Sequence, residues 1–332
     1  MAKQKSSRRA RRDTRKPEEG AKTKYRVRNW AKYNESLVQR GSITLWIDED
    51  VIKAWKPAEE GPRKRGGQYQ YSDLAIECML TLRSVYHLQL RATEGFARSL
   101  FELMELALPV PDYTTLSRRS KTLKVKLPKQ AKGPLHIAVD STGLKIYGEG
   151  EWKVRKHGYS KRRTWRKLHL AVEVESGEIQ AVVLTEAKVD DGSAMPDLLD
   201  EITAPIEQVD ADGAYDQRKV YETCIDHEVD RIVIPPRENA QLWPEEDKPG
   251  QPHPRNENIR AIEALGRKQW KQETGYHQRS LSETAMFRFK TIFEGALRSR
   301  GLAQQMAEAR IKAAALNRMT HLGMPDSYAV VD

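Results

Sequence analysis

The sequence predicts an α/β protein, with a mixed β-sheet flanked by helices and a small all-α region before it. Two observations support this fold class. Between residues 72 and 126, apolar residues recur with the spacing of amphipathic helices. From residue 135 onward, short apolar runs bounded by Gly, Pro or polar residues alternate with helical segments. Such an alternation builds one sheet with helices packed against it.

Length and charge narrow the possible functions. The 332 residues suffice for two domains, one of them with a sizeable core. Lys and Arg number 57 against 47 Asp and Glu, which points to a polyanionic partner, either nucleic acid or an acidic membrane surface. No apolar run approaches the ~18 residues of a membrane span, and the basic N-terminus lacks the apolar segment of a signal peptide. We therefore expect no membrane partner.

The two cysteines, Cys78 and Cys224, lie far apart in the sequence and lack metal-ligand spacing. We predict that they are buried free thiols in a reducing cytoplasm.

Residues 1 to 28 form a basic arm. They hold 12 Lys and Arg against three acids and almost no large apolar residues, so we predict that the arm is disordered. Such an arm can bind the phosphate backbone of DNA or serve as a solubilising tail, and its residues do not decide between the two.

Residues 29 to 126 are predicted to form a helical DNA-binding domain. Ser72 caps one strongly apolar helix, and a second helix begins near Thr93 and ends before Pro109. The inward residues of the second helix are predicted to be Phe96, Leu100, Leu103 and Met104.

The last helix of this domain opens at Asp112 and is basic and rich in hydroxyl groups. A helical domain that ends in such a helix is typical of helix-turn-helix-like proteins, so Thr115, Arg118 and Arg119 are candidate DNA contacts. An ordinary exposed basic helix has the same pattern, and both interpretations stay open. Residues 127 to 134 are the predicted linker out of this domain.

Residues 135 to 325 are predicted to form the domain that contains the sheet. The buried strand LHIAVDSTG is followed by a hairpin with its turn at Ser176-Gly177. The later elements are predicted as a helix over 192–202, the strand QVDAD, a helix from about Asp216, the strand RIVIPP, a Pro-rich polar loop over 237–262, a further helix and a last helix over 302–320. A three-strand meander followed by alternating helices and strands is the order of the ribonuclease-H-like fold.

Residues 145 to 167 form a basic segment, which contains nine Lys and Arg but only two acidic residues. Its cations could hold a polyanion and its aromatic side chains could stack on unpaired bases. Alternatively, the cations can lie on the surface of a hairpin and the tryptophans can belong to the core. The candidate DNA contacts in this segment are Trp152, Lys153, Arg155, Arg163, Trp165 and Arg166.

The stretch YHQRSLSETAMFRFK offers a polar face if it is helical. At about 100° per residue, Tyr276, Arg279, Glu283 and Lys290 fall within an arc of roughly 60°. Two other interpretations compete with a functional face. The charges can belong to an ordinary solvated surface, or Ser280 and Glu283 can form a capping box that starts the helix at Ser280.

Three carboxylates are expected to converge. Asp140 ends the first predicted strand, Asp212 ends the fourth, and Glu283 lies on the late helix. The first and fourth strands are neighbours in such a sheet, and converging carboxylates repel one another unless a cation joins them. Mg²⁺ takes oxygen ligands, and two such ions about 3.5–4 Å apart can stabilise both oxygens of an in-line phosphoryl displacement.

The second aspartate has three candidates. Asp212 precedes Gly213, where the strand should end, and catalytic carboxylates on such sheets lie at strand ends. Asp210 lies deeper and is predicted to support the site, whereas Asp216 is predicted to be a helix N-cap. The motifs of serine hydrolases, P-loop NTPases and zinc proteases are absent, as is the Arg and His set of a tyrosine recombinase.

The spacing Tyr276-x2-Arg279-x3-Glu283-x6-Lys290 matches the Y-R-E-K signature of DDE transposases of bacterial insertion sequences, in the group named after insertion sequence five. The resemblance runs from about residue 40 to 325 and leaves the basic arm unmatched. Further stretches that resemble this group are PDYTTLSRRS, DSTGLKIYGEGEW, RRTWRKLHLAV, DADGAYD and LNRMTHLGMP.

The resemblance implies a transposase that depends on Mg²⁺ or Mn²⁺, with Asp140, Asp212 and Glu283 as its catalytic metal ligands. Tyr276, Arg279 and Lys290 would contact or orient the transposon-end DNA near the cleaved phosphate. The enzyme would hydrolyse a phosphodiester to leave a 3′-OH, which then attacks target DNA.

The implied partners are double-stranded DNA, as terminal inverted repeats and as target, and further copies of the chain in a homodimer or higher oligomer on that DNA. The implied location is the bacterial cytoplasm, at the nucleoid. Two alternatives are a DNA-binding repressor that no longer cuts, and a ribonuclease-H-like nuclease without strand transfer.

Overall fold

The computed structural model describes residues 24–58, 68–146, 165–244 and 252–330. The helices of these ranges are α1 (Trp30–Gln39), α2 (Glu49–Lys53), α3 (Asp73–Val85), α4 (Leu90–Leu103), α5 (Tyr113–Arg119), α6 (Met195–Leu199), α7 (Arg218–Asp226), α8 (Pro254–Leu265), α9 (Arg267–Glu273), α10 (Ser280–Phe293) and α11 (Leu302–Leu322). The strands are β1 (Lys24–Val27), β2 (Leu135–Ile146), β3 (Trp165–Glu173), β4 (Ile179–Glu186), β5 (Ile206–Asp210), β6 (Arg231–Val233), β7 (Ala296–Leu297) and β8 (Ser327–Val330).

Strands β2 to β7 form one mixed sheet, in the order β4-β3-β2-β5-β6, with β7 beside the far end of β2. β2, β3 and β4 make an antiparallel meander, whereas β5 and β6 run parallel to β2. The predicted mixed sheet is therefore confirmed. So is the ribonuclease-H-like expectation that the first and fourth strands of the sheet are neighbours.

Helices cover both faces of this sheet, which explains why the meander strands are apolar almost throughout. Leu168 and Leu170 of β3 face one hydrophobic cluster with α10 and α11, and Ala171 faces a second cluster with α6 and α7. The hairpin turn is where the sequence predicts it. Gly177 has φ +71 there, a conformation that glycine adopts without strain.

The helical region shares its core with the sheet. α3, α4 and α5 pack against one another, and α3 also packs along α11. One hydrophobic cluster contains Ile76 and Met79 of α3, Leu170 of β3 and Leu316 of α11. The boundary predicted near residue 126 thus separates two stretches of chain but not two hydrophobic cores.

Ser72 caps α3 as predicted, with its hydroxyl accepting from the N–H of Ala75 at 3.0 Å. The inward face predicted for α4 is wrong at Leu103, which is 80% exposed. The buried stripe of α4 is instead Thr93, Ala97 and Phe101, which recur every four residues.

The predicted arm ends earlier than expected. β1 pairs antiparallel with β8, so residues 24–27 are a strand that joins the two ends of the described chain. The side-chain amide of Asn29 also donates to the carbonyl oxygen of Met324 at 2.9 Å. Residues 1–23 lie outside the described ranges.

The predicted polar loop over 237–262 is a loop only in its first part, because α8 begins at Pro254. His253 caps this helix through its ring nitrogen Nδ1, which accepts from the N–H of Arg255 at 3.2 Å. Proline is common in loops and also at the first position of a helix, so a cluster of prolines does not separate the two.

No helix in the described ranges is long and apolar enough to cross a membrane. Cys78 and Cys224 are both buried and free, as predicted.

Candidate active site

Asp140 lies in the middle of β2 and not at its end, because β2 continues to Ile146 beside β3. On its other side, β2 pairs with β5 only as far as Ala138, which lies opposite Asp210. Asp140 and Asp212 each follow this last pair by two residues. Both carboxylates therefore leave the sheet at the level where the β2–β5 pairing ends.

Asp212 lies in a turn just beyond β5. Its Oδ1 accepts from the N–H of Ala214 at 2.8 Å and so caps the 3-10 turn Gly213–Tyr215. A Cβ at Gly213 would lie 3.3 Å from the carbonyl oxygen of Pro235, so the tight turn favours glycine. The chain leaves the sheet here and holds the carboxylate at its edge.

Glu283 lies in the first turn of α10, and the 3-10 turn Tyr276–Arg279 runs directly into this helix. The capping box is not formed. The hydroxyl of Ser280 donates to the carbonyl oxygen of His277, and the carboxylate of Glu283 pairs with Arg279. Tyr276 and Arg279 therefore lie in the 3-10 turn before α10, and only Glu283 and Lys290 lie on the α-helix itself.

Arg279 joins two of the three predicted metal ligands. Its Nη1 lies 3.4 Å from Oδ2 of Asp140, and its Nη2 pairs with Oε1 of Glu283. The side chains of Arg279 and Asp140 are 18% exposed, whereas that of Glu283 is 56% exposed. The site is therefore open to solvent on the side of α10.

Burial raises the pKa of Asp140 above its usual range, and the charges of Asp212 and Glu283 act in the same direction. The N–H of Ser141, which donates to Asp140 at 2.7 Å, and the Arg279 guanidinium oppose this rise. Asp140 thus lies close enough to Asp212 and to Glu283 to be repelled by both. That repulsion is what a bound cation relieves.

On the side of the sheet opposite to Asp140, the structure shows a group of polar residues that the sequence did not predict as functional. Ser141 Oγ donates to Oδ1 of Asp191 at 2.8 Å, and Nζ of Lys167 donates to the same oxygen at 3.0 Å. Tyr215 is buried beside them, and its hydroxyl has no hydrogen-bond partner among the described residues. Burial, followed by the charge of Asp191, raises the pKa of this phenol. Ser141 lies in the stretch DSTG and Tyr215 in DADGAYD, so the resemblance of these stretches to the transposase group could have pointed to both residues.

Asp210 is fully buried and points toward the start of β2. Its Oδ2 lies 2.9 Å from Nε2 of His136, and the amide of Gln208 donates to its Oδ1 at 2.8 Å. Its carboxylate is thus held within the sheet, as expected for a group that supports the site rather than lining it.

The prediction that Asp216 is a helix N-cap is wrong. α7 begins at Arg218 after Gln217, and the carboxylate of Asp216 pairs with Arg255 of α8 at 2.6 Å. The two side chains are 2% and 7% exposed, and the Arg255 guanidinium also lies over the ring of Trp243 at 4.2 Å. Sequence spacing could not show this, because the two partners are 39 residues apart.

Tyr276 lies beside the site, with its ring 5.9 Å from the guanidinium carbon of Arg279. Burial raises its pKa, and its ring packs on Trp270 at 5.8 Å. Lys290 is exposed on α10, two turns after Glu283. The structure therefore brings Tyr276 and Arg279 to the acids, and their contacts with DNA stay predictions.

The predicted DNA contacts on α5 differ in accessibility. Arg118 is exposed and Thr115 is half-buried, with its hydroxyl donating to Asp112 at 2.8 Å. Arg119 is corrected to a structural residue. It is buried, and its guanidinium donates to the carbonyl oxygen of Tyr71 and to the carboxylate of Asp73.

Trp165 and Arg166 are half-buried at the start of β3. The ring of Trp165 covers Gly143, where a Cβ would approach it to 3.2 Å, and Nε of Arg166 donates to Gln305 at 3.0 Å. Both side chains therefore make contacts within the fold. The other predicted contacts of this segment lie outside the described residues: Trp152, Lys153, Arg155 and Arg163.

The donor set suits a hard divalent cation, because Asp140, Asp212 and Glu283 offer only oxygen ligands. No group of three His, Cys, Asp or Glu side chains in the described ranges is already arranged to hold a metal. At this site, Arg279 pairs with both Asp140 and Glu283.

Comparison with known structures finds distant similarity, at TM-scores below 0.5, to two transposase complexes. The piggyBac transposase synaptic complex with hairpin DNA aligns with a TM-score of 0.37 at 11% identity, over 85% of this chain and 75% of that chain. The Drosophila P element transposase strand transfer complex aligns with a TM-score of 0.30 at 12% identity, over 89% of this chain and 67% of that chain.

Comparison with protein families is decisive. Two sequence models described as a transposase DDE domain match the chain, one at residues 38–149 and the other at residues 131–318. The second match covers more than half of the chain and includes Asp140, Asp212 and Glu283. The chain belongs to the transposase DDE domain family and is a DDE transposase.

Proposed function

We propose that this transposase binds the terminal inverted repeats of its own insertion sequence, cleaves a strand at each end and transfers the 3′-OH to target DNA. We also propose that it belongs to the insertion-sequence-five group, with Y-R-E-K spacing from Tyr276 to Lys290. One observation carries the proposal. Arg279 joins Asp140 to Glu283 on the solvent-open side of the sheet, and Asp212 leaves the sheet at the same level.

Asp140, Asp212 and Glu283 would hold Mg²⁺ or Mn²⁺, which supplies charge stabilisation to the oxygens of a phosphoryl displacement. Before a metal ion binds, the positive charge of Arg279 offsets the repulsion between the carboxylates of Asp140 and Glu283. A guanidinium released from this pairing suits a phosphate, because its donors match two phosphate oxygens. Arg279 thus has a role in the free enzyme and another on DNA.

Tyr276 and Lys290 flank Arg279 and Glu283 on the proposed DNA-facing side. The Tyr276 phenol is protonated at neutral pH, and burial raises its pKa further, so it can donate a hydrogen bond to a phosphate oxygen. Lys290, on its flexible side chain, supplies a positive charge to a phosphate farther along the DNA backbone. These residues orient DNA and do not form a covalent bond to it.

The helical region supports a role in recognising the ends. α5 presents Arg118 to solvent, and the chain as a whole carries a net charge of +10. We propose that residues 29–126 bind the inverted repeat, that the basic arm adds phosphate contacts, and that two or more copies assemble on the DNA. The site of action would be the nucleoid of a bacterial cytoplasm.

The test is nicking of a supercoiled plasmid that carries the DNA flanking the gene on both sides. The wild-type protein should nick at the two ends with Mg²⁺ or Mn²⁺, and should not nick in excess chelator. Asp212→Asn should bind the same DNA without nicking it. Nicking without joining to a second DNA would identify a nuclease, whereas binding without nicking in any metal would identify a repressor.

A further inference from the structure

Two partly buried arginines have free donors that the fold does not use. Arg40 directly follows α1, and Arg288 lies on α10. Nε and Nη2 of Arg40 and Nη2 of Arg288 are buried and have no hydrogen-bond partner among the described residues. A guanidinium held in this way is costly, because its donors lose water and its charge is not offset. Such donors are typical of a site that binds an anion.

The two guanidiniums act on each other as like charges. Burial lowers the pKa of Arg288 to about 10, and the charge of Arg40 acts in the same direction. No carboxylate within the described ranges forms an ion pair with either arginine. Their contacts are with neutral groups. Nη1 of Arg288 donates to the hydroxyl of Thr320 at 3.1 Å, and the ring of Tyr33 lies 5.9 Å from the guanidinium carbon of Arg40.

The free donors match a phosphate. Nε and Nη2 lie on one edge of a guanidinium, and such an edge donates two parallel hydrogen bonds to two oxygens of an oxyanion. Nη2 of Arg288 can then donate to a third oxygen, which a tetrahedral phosphate has and a planar carboxylate lacks. We propose that Arg40 and Arg288 together hold one phosphate group. Two sources can supply it, the backbone of bound DNA and free inorganic phosphate.

The proposed phosphate site is separate from the DDE acids. Arg288 follows Glu283 by five residues, so at about 100° per residue its side chain leaves α10 roughly 140° around the helix from that carboxylate. Glu283 itself pairs with Arg279 on its own side of the helix. The inference therefore goes beyond the proposed function and assigns a second anion-binding site to the chain.

Inorganic phosphate tests the site without DNA. Urea unfolding of the full chain is measured at rising phosphate concentration and constant ionic strength. A ligand that binds only the folded state raises the folding equilibrium constant about tenfold for each tenfold increase above its dissociation constant. The wild-type protein should show this dependence, and Arg40→Gln should lose it. Stabilisation by phosphate excluded from the protein surface affects both proteins alike, so the difference between them reports the site.

Further variants separate an anion-binding arginine from a structural one. Without phosphate, Arg288→Gln should be at least as stable as wild type, because it removes a buried charge that faces another cation. Arg40→Lys keeps the charge but not the two-donor edge, so it should weaken the response to phosphate. Lys32→Gln is the matched control. It removes an exposed positive charge of α1 and should respond to phosphate as the wild type does.

The salt dependence of DNA binding identifies the source of the phosphate. Affinity for DNA that flanks the gene is measured over a range of salt concentrations. If the site holds a backbone phosphate, Arg40→Gln should reduce the slope of log affinity against log salt by about one. If the site holds free phosphate, the affinity and the slope should match those of the wild type. Either result keeps the site and assigns its ligand.

The response to phosphate decides the inference. If phosphate stabilises wild type and Arg40→Gln to the same extent, or if Lys32→Gln reduces the response as much as Arg40→Gln does, the proposed site is wrong. An Arg288→Gln protein that is less stable than wild type without phosphate, and still responds to phosphate, would identify Arg288 as a structural residue. Absence of nicking would contradict the proposed function and not this site, because the unfolding experiment needs no DNA.

Discussion

At the scale of single residues, Glu283 offers the sharpest separation of catalytic and structural roles. It pairs with Arg279, and no side-chain cap hydrogen bond is formed at the start of α10. Glu283→Gln should therefore keep the fold and DNA binding, but lose nicking, because the amide has no charge to offer a divalent ion. Nicking and thermal unfolding of the same preparation measure both effects.

The opposite result would identify a capping role for Glu283. A capping residue contributes ~1 kcal/mol to stability, and its loss leaves chemistry intact. Wild-type nicking by Glu283→Gln, with a lowered melting temperature, would therefore contradict its assignment as a metal ligand.

Asp216 is expected to matter for stability rather than for capping. Asp216→Asn leaves the Arg255 guanidinium buried without its charged partner. Breaking a buried ion pair on one side costs about 3 kcal/mol, so the free energy of unfolding in urea should fall by that order. Asp226→Asn, at an exposed position of α7, is the control and should change stability little. An Asp216→Asn protein as stable as wild type would show that the ion pair contributes nothing net.

His169 makes stability depend on pH. Burial lowers its pKa from the ordinary 6.5 to about 4, so the folded protein keeps this imidazole neutral while the unfolded chain protonates it. The unfolded state then binds more protons between these values. The contribution, on the order of 3 kcal/mol, is present in full above pH 6.5 and is lost as the pH falls toward 4.

Urea unfolding from pH 7.5 to pH 4 measures this contribution. His169→Gln should flatten the decline of stability over that range, whatever its effect at neutral pH. The same substitution at the exposed His277 controls for the loss of one histidine. An unchanged slope in His169→Gln would show that other groups cause the decline.

At the scale of elements, the sequence predicts best those helices and turns that depend on the spacing of nearby residues. The apolar spacing along α3 and α11 shows both helices, and the Gly177 turn shows the hairpin. α10 is also visible, because its buried residues recur with helical period. These features depend on neighbours within a few residues, and the structure reproduces them.

What the sequence misses depends on partners that are distant in the chain. The sequence predicts Leu103 of α4 as buried, but it is exposed, because packing against α3 and α5 determines which side of α4 is buried. Asp140 is not at a strand end, because β3 and β7 extend β2 beyond it. Strand order is nonetheless predicted correctly, since β2 lies beside β5 and brings Asp140 and Asp212 to the same level of the sheet.

At the scale of the whole molecule, the shared core changes what a truncation can show. Removing residues 1–125 takes away α3, whose Ile76 and Met79 lie in one hydrophobic cluster with Leu170 and Leu316. The apolar side of α11 would then face water. Such a protein is expected to aggregate or to unfold at a much lower temperature, and not simply to lose recognition of the inverted repeat.

The corresponding experiment compares two truncations by circular dichroism and size-exclusion chromatography. Removal of residues 1–125 should abolish the cooperative thermal transition of the wild-type protein, because the core of the catalytic region is then incomplete. Removal of residues 1–23 leaves β1 and every helix of the described ranges in the chain, so its transition should match wild type, while its DNA affinity should depend less steeply on salt. A monomeric 126–332 fragment that melts cooperatively at the wild-type temperature would show that the catalytic region folds alone and that the shared cluster is not essential to it.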